Sequence, residues 1–142
     1  MKRVFQSLVS VLLATIILVA GTWAYQMFRD IPCDLTIIEG ITDIEIYTNE
    51  ACTVSISGAV HFGELRRGST VTFYMWAKNI GVEPVLLVAT LSGDMSWGTV
   101  TLAPSSSMAL ARGEIQRYVL QMIIQPDTWL GAQEFSIEFY EE

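Results

Sequence analysis

The sequence predicts a two-layer antiparallel β-sandwich of about eight short strands behind one N-terminal apolar helix. Three observations carry that expectation. From Val71 to Lys78 the side chains alternate, with Val71, Phe73, Met75 and Ala77 on one side and Thr72, Tyr74, Trp76 and Lys78 on the other. Period two with β-branched and aromatic residues marks a half-buried strand. Glu134 to Tyr140 repeats the pattern, with Phe135, Ile137 and Phe139 inward. Between such runs lie short clusters of Gly, Pro, Asn, Asp and Ser, and no segment after residue 30 keeps a helical period.

The helix comes first. Val4 to Ala24 is 21 residues without a charge. At 1.5 Å per residue such a helix spans roughly 32 Å, the thickness of a bilayer's hydrocarbon. Lys2 and Arg3 precede it, and Trp23 and Tyr25 follow at the far interface. Positive charge before the span favours a cytoplasmic N-terminus and a domain outside. Residues 1–25 are thus expected to be a transmembrane anchor, with the membrane contacted through residues 4–25. A secretory signal shares these features, with Thr22-Trp23-Ala24 as a cleavage site, and either reading exports the domain. Residues 26–32 read as a linker closed by Ile31-Pro32, and 33–142 as the extracytoplasmic domain.

The strands follow. Cys33 to Ile38, Ile44 to Tyr47 and Cys52 to Ser57 read as the first three, with Gly40 and Thr48-Asn49-Glu50 between them. Gly58 interrupts, and Val60 to Phe62 continues around a bulge before a loop over Gly63 to Gly68. After the Val71 strand, Asn79-Ile80-Gly81 supplies residues that tolerate positive φ, and Pro84 opens the run Val85 to Leu91. Ser96 to Leu102 carries Trp97, Met108 to Leu110 touches the core, and Ile115 to Gln125 presents Tyr118, Leu120, Met122 and Ile124 inward. An Ig-like sandwich is the economical arrangement and a small closed barrel the alternative.

Charge and motifs narrow the function. All fifteen acids lie at or after Asp30 against five bases there, so the domain carries −10. Such a surface repels phosphate backbones, and a nucleic-acid partner is not expected. His61 is the single histidine, flanked by Val60 and Phe62, which makes no zinc site. No H-E-x-x-H, G-x-S-x-G, glycine-rich phosphate loop or EF-hand loop occurs. The pairs Asp43/Glu45 and Glu141/Glu142 fall on solvent faces or at the terminus, and Glu134 and Glu138 share one outer face. The expectation is a protein that is not an enzyme, with no catalytic residue, metal or cofactor.

Two features remain. Cys33 and Cys52 in an exported domain suggest a disulfide closing a loop of about 20 residues, worth around 3 kcal/mol in the chain-entropy model. Two buried thiols are the alternative. Tyr74 and Trp76, outward on their strand, are the candidate contact surface, since both residue types are enriched at interfaces.

Gly68-Ser69-Thr70-Val71-Thr72-Phe73, followed by Lys78-Asn79-Ile80-Gly81 and Pro84-Val85, resembles the CARDB and related Ig-like surface modules. Ala111-Arg112-Gly113-Glu114 is similar to a loop of theirs, without its proline. Ile44 to Tyr47 with Ala51-Cys52, the loop Phe62 to Gly68, and Phe135-Ser136-Ile137 resemble small membrane-anchored archaeal surface proteins of unassigned function. Ala20-Gly21-Thr22-Trp23-Ala24-Tyr25 is similar to the leader end of the camelysin and TasA biofilm-fibre family, although Gln26 to Asp30 replaces their Phe-Ser-Asp. These resemblances imply a non-enzymatic cell-surface protein whose sandwich makes protein contacts in an envelope, fibre or adhesive assembly. The alternative is an accessory subunit of a larger membrane complex, its anchor packed on partner helices. In the fibre family a strand from one subunit completes the next subunit's sheet; here Cys33 to Ile38 is expected to pair within its own chain.

Overall fold

A computed structural model describes residues 31–39, 43–56, 58–127 and 133–142. The expected anchor and most of the linker lie outside these residues. Among the described residues no helix is long and apolar enough to cross a membrane. There are nine strands among them: β1 (Ile31–Glu39), β2 (Ile44–Tyr47), β3 (Gly58–Leu65), β4 (Thr70–Asn79), β5 (Val85–Gly93), β6 (Gly98–Ala103), β7 (Met108–Leu110), β8 (Ile115–Ile124) and β9 (Gln133–Glu141).

The strands form two sheets. One has five strands in the order β3-β1-β9-β5-β7, the other four in the order β2-β4-β8-β6. Odd-numbered strands make the first sheet and even-numbered strands the second, so every connection crosses between sheets. The residues after β4 therefore do not reverse the chain into a neighbouring strand of the same sheet. They carry it over to the opposite layer. Immunoglobulin connectivity places several consecutive strands side by side in one sheet; this chain places none. The sandwich is shared with that architecture and the wiring is different.

Strand β1 begins at Ile31, two residues before the expected start, and lies between β3 and β9. It runs antiparallel to β3 and parallel to β9, pairing Leu35 with Phe135 and Ile37 with Ile137. It thus pairs within its own chain. The pairing of β1 with β3 shifts at Phe62: Cys33 faces Gly63 and Asp34 faces His61. Gly63 has φ 69, a value open to glycine, and this makes a bulge five residues beyond Gly58, where an irregularity was expected. Strand β3 consequently runs through Leu65, and the expected loop shrinks to Arg66–Ser69.

Over Cys52 to Ile56, the described part of the expected third strand, no strand forms. Asn49 prevails over the alternation of Cys52, Val54 and Ile56. Its Oδ1 accepts from the N–H groups of Thr53 and Val54 at 3.0 and 3.1 Å, and its Nδ2 donates to Thr53 Oγ1 at 2.7 Å. A side chain that satisfies backbone groups locally displaces the ladder that would otherwise hold them. Only Ser55 bridges Tyr47, and the Ile56 N–H reaches the Ile46 carbonyl at 2.8 Å.

One core joins the layers. Its largest fully buried side chains include Tyr118, Leu120 and Met122 of β8, Leu35 of β1, Met75 of β4, Leu87 of β5 and Phe139 of β9. Two aromatic pairs bridge the sheets, Phe62 with Phe73 at 5.2 Å and Tyr118 with Phe139 at 5.3 Å, and Trp97 pairs with Phe135 at 5.9 Å between centroids. Trp97 lies in the turn before β6 rather than in the strand; its Nε1 donates to the Asp94 carbonyl at 2.8 Å, which seats the ring inward.

Candidate functional site

With one side of each sheet packed into the core, the outer faces carry the exposed side chains, among them the apolar Leu86, Ile115 and Ile123. On the four-stranded sheet, antiparallel register places cross-strand partners on the same face. The rows are Tyr47–Trp76–Arg117, Glu45–Lys78–Ile115, Tyr74–Val119–Ala103 and Thr72–Gln121–Thr101. Tyr74 is 46% exposed, Trp76 is half-buried and Arg117 is exposed. The Tyr74 and Trp76 rings lie 6.3 Å apart with their planes tilted 39°, and Arg117 Cζ sits 5.9 Å from the Tyr74 centroid. The guanidinium is held by the ring's negative face while its N–H groups stay open to an acceptor. Tyr47 is buried at the end of its row, and its hydroxyl donates to Glu45 Oε2 at 2.7 Å. That bond to a carboxylate pushes the Tyr47 phenol up to about 12. Thus the expected contact residues Tyr74 and Trp76 do come together. Arg117 and Lys78 complete the patch, and only the register with β8 could have revealed Arg117's place.

The five-stranded sheet turns a different surface outward. Asp34 and Glu134 are register partners, as are Thr36 and Ser136. Ser92 and Ser136 share a hydrogen bond of 2.6 Å, and Ser92 Oγ donates to Glu138 Oε1 at 3.3 Å. His61 Nδ1 lies 2.8 Å from Asp34 Oδ1, with the two side chains 73% and 42% exposed. Sequence spacing does not show this pair, because 27 residues separate its members and only the pairing of β1 with β3 unites them. Among the described residues no group of three or more His, Cys, Asp and Glu is arranged to hold a metal ion.

One end of the sandwich is organised by Asn79. It is fully buried; its Nδ2 donates to the carbonyls of Glu83 and Leu110 at 2.8 and 2.9 Å, and its Oδ1 accepts from the Gly81 N–H at 2.9 Å. Neither Asn79 nor Gly81 has the positive φ expected of them. Asn79 is instead the last residue of β4, and Gly81 is small because a Cβ there would come within 2.6 Å of the Asp43 side chain. This scaffold leaves Ile80 and Val82 at its tip 51% and 69% exposed.

The expected Cys33–Cys52 bridge is not formed; both thiols are free. Cys33 faces the core from β1, where burial, aided by the Asp34 carboxylate, pushes its thiol up to about 11. Cys52 sits in the Asn49 loop at φ 50, its thiol directed to the Glu50 carbonyl at 3.6 Å.

No protein-family model matches the chain, and no curated protein matches it in sequence.

Proposed function

We propose that this chain is a non-enzymatic surface protein, held in the membrane through residues 4–25 with the domain from residue 33 outside, and that it works by protein contact through the outer face of its four-stranded sheet. The likeness to Ig-like surface modules enters as architecture: a rigid two-layer body that presents flat faces. The observation that carries the reading is the cluster of Tyr74, Trp76 and Arg117, where an exposed ring, a half-buried ring and an exposed guanidinium share the face of a sheet whose other side is a packed core. Rings and Arg are the side chains that supply most binding energy at protein interfaces. The 39° tilt between the rings, with Arg117 over one of them, suits a shaped protein surface better than a flat ligand.

A photo-crosslinking residue placed at position 74 of the full-length chain, in its own membrane, tests the contact. Crosslinks to protein are expected from 74 and not from Ser106, an exposed position in the loop between β6 and β7. Equal crosslinking from both positions, or none from 74, would sink the contact reading. Crosslinks from the 4–25 segment alone would favour the accessory-subunit reading. Protease added to intact cells tests the topology; a domain shielded from it would refute exposure outside the membrane.

A further inference from the structure

The two outer faces are complementary to each other. The four-stranded sheet offers Lys78 and Arg117 on adjacent strands, beside Tyr74 and Trp76. Their positions are diagonal neighbours across the strands, roughly 7–8 Å apart. The five-stranded sheet offers Asp34 and Glu134 as register partners, about 4.8 Å apart, and Glu138 about 13 Å further along β9. Uncharged polar rows flank both sets: Thr72, Gln121 and Thr101 on one face, Thr36, Ser136 and Ser92 on the other. Each face also exposes one tyrosine, Tyr74 at 46% and Tyr140 at 42%. Glu45 lies among the cations, but it already accepts the Tyr47 hydroxyl.

We infer that the partner of the four-stranded sheet is the five-stranded sheet of a second copy of this chain. This rests on the contact reading above and names the partner. Each copy then uses two different surfaces, so the contact is heterologous and continues into an open stack instead of closing into a symmetric dimer. Opposed charge fixes which faces meet, since two cationic or two acidic faces repel. The domain's overall −10 opposes association at low ionic strength. At about 0.15 M salt the screening length is near 8 Å, which weakens that long-range term while contacts within the interface persist.

The test uses full-length chain in detergent micelles at that salt, with assembly read by sedimentation. Wild type is expected to form oligomers that lengthen with concentration. Lys78→Glu with Arg117→Glu disables one face, and Glu134→Lys with Glu138→Lys disables the other. Each double variant alone is expected to lose association by more than about tenfold. Mixed together, an acidic face meets a basic one at the unaltered pair of faces and at the reversed pair alike, so the mixture is expected to recover oligomers that lengthen with concentration. Those oligomers also show that both variants are folded. A mixture that stays monomeric while wild type associates overturns the proposal. Wild-type oligomers unaffected by either double variant, or wild type that is monomeric throughout, overturn it as well. Crosslinks from position 74 to a different protein leave the contact reading standing and refute the second copy as partner; no crosslink from 74 refutes both.

Discussion

The two sheets obey the same alternation and share one core, yet they differ in how they are completed and in what they show to solvent. In the four-stranded sheet, β4 and β8 form a ten-residue-long central pair, with β2 and β6 outside it. The five-stranded sheet consists of two separate pairs, β3 with β1 and β5 with β7, and only β9 joins them. Outside, the first sheet sets Tyr74 and Trp76 beside Lys78 and Arg117, and the second sets out Asp34, Glu134 and Glu138. Inward positions are dictated by burial and are alike in both layers. Outward positions are free of that demand, and there the sheets diverge. Divergence where packing does not require it is what the proposed contact through these faces would call for.

The sharpest way to break the comparison is to remove β9. A chain ending at residue 132 keeps every pairing of the four-stranded sheet but leaves β1 and β5 without the strand between them, and it loses Phe135, Ile137 and Phe139 from the core. It is expected to show no cooperative thermal transition, because all pairing here is between strands distant in sequence and no local element survives alone. A sigmoidal melt of the truncated chain would show that the four-stranded sheet folds by itself. Next in size is Asn79→Ala. It strips one buried carbonyl, one partly buried carbonyl and one partly buried N–H of their partners, each costing on the order of 1–3 kcal/mol where water does not replace it. Denaturant titration should show a clear loss of stability. A midpoint equal to wild type would mean that the loop from Ile80 to Glu83 rehydrates freely.

Much of this was legible in the residues. Alternation in β4, β8 and β9 marks the inward side chains, and the structure buries Met75, Ala77, Tyr118, Leu120, Met122, Phe135, Ile137 and Phe139 accordingly. The free face of β4, with Tyr74 and Trp76, follows from the same count. What could not be read was anything fixed by partners distant in sequence. Alternation does not say that Asn79 carries the chain to the other sheet, nor that Arg117 falls beside Trp76 or Asp34 beside His61. The third strand failed for another reason: a single Asn side chain offered the backbone a local alternative, which periodicity does not register. The cysteines follow from that failure, since Cys52 was expected on a strand face and lies on a loop.

Tyr118 separates the inner side of the comparison from the outer. Its hydroxyl is fully buried with no hydrogen-bond partner among the described residues, and burial pushes its phenol up to about 12. Tyr118→Phe removes a polar group that folding strips of water, and is expected to stabilise by about 1 kcal/mol. The pH dependence follows. Cys33 is raised from 9.0 to about 11, and Tyr47 and Tyr118 from 10.0 to about 12. In each case the folded state holds a proton that the unfolded chain releases. Stability is therefore unaffected by these groups below about pH 9 and falls from there to about pH 12, by at most about 1.4 kcal/mol per pH unit for each group titrating. Tyr118→Phe should shallow the fall between pH 10 and 12, and Tyr47→Phe should do so independently. An unchanged alkaline limb in both variants would mean that other groups control it.

The smallest expected effect is on the outer side of the same sheet. Tyr74 belongs to β4, the strand paired with β8, and is the same residue type as Tyr118 with the opposite orientation. Tyr74→Thr puts another residue of high β-propensity in the strand position and removes a ring that is 46% exposed. A surface change of this kind shifts stability by no more than about 0.5 kcal/mol. It also frees Arg117 from the ring 5.9 Å away, which costs little where the guanidinium is already in water. Stability should thus hardly move while crosslinking and sedimentation through this face weaken. Such a split would show that Tyr74 is kept for contact. A loss of several kcal/mol on Tyr74→Thr would place the ring in the structural frame instead, and the difference between the two outer faces would then need a reason other than recognition.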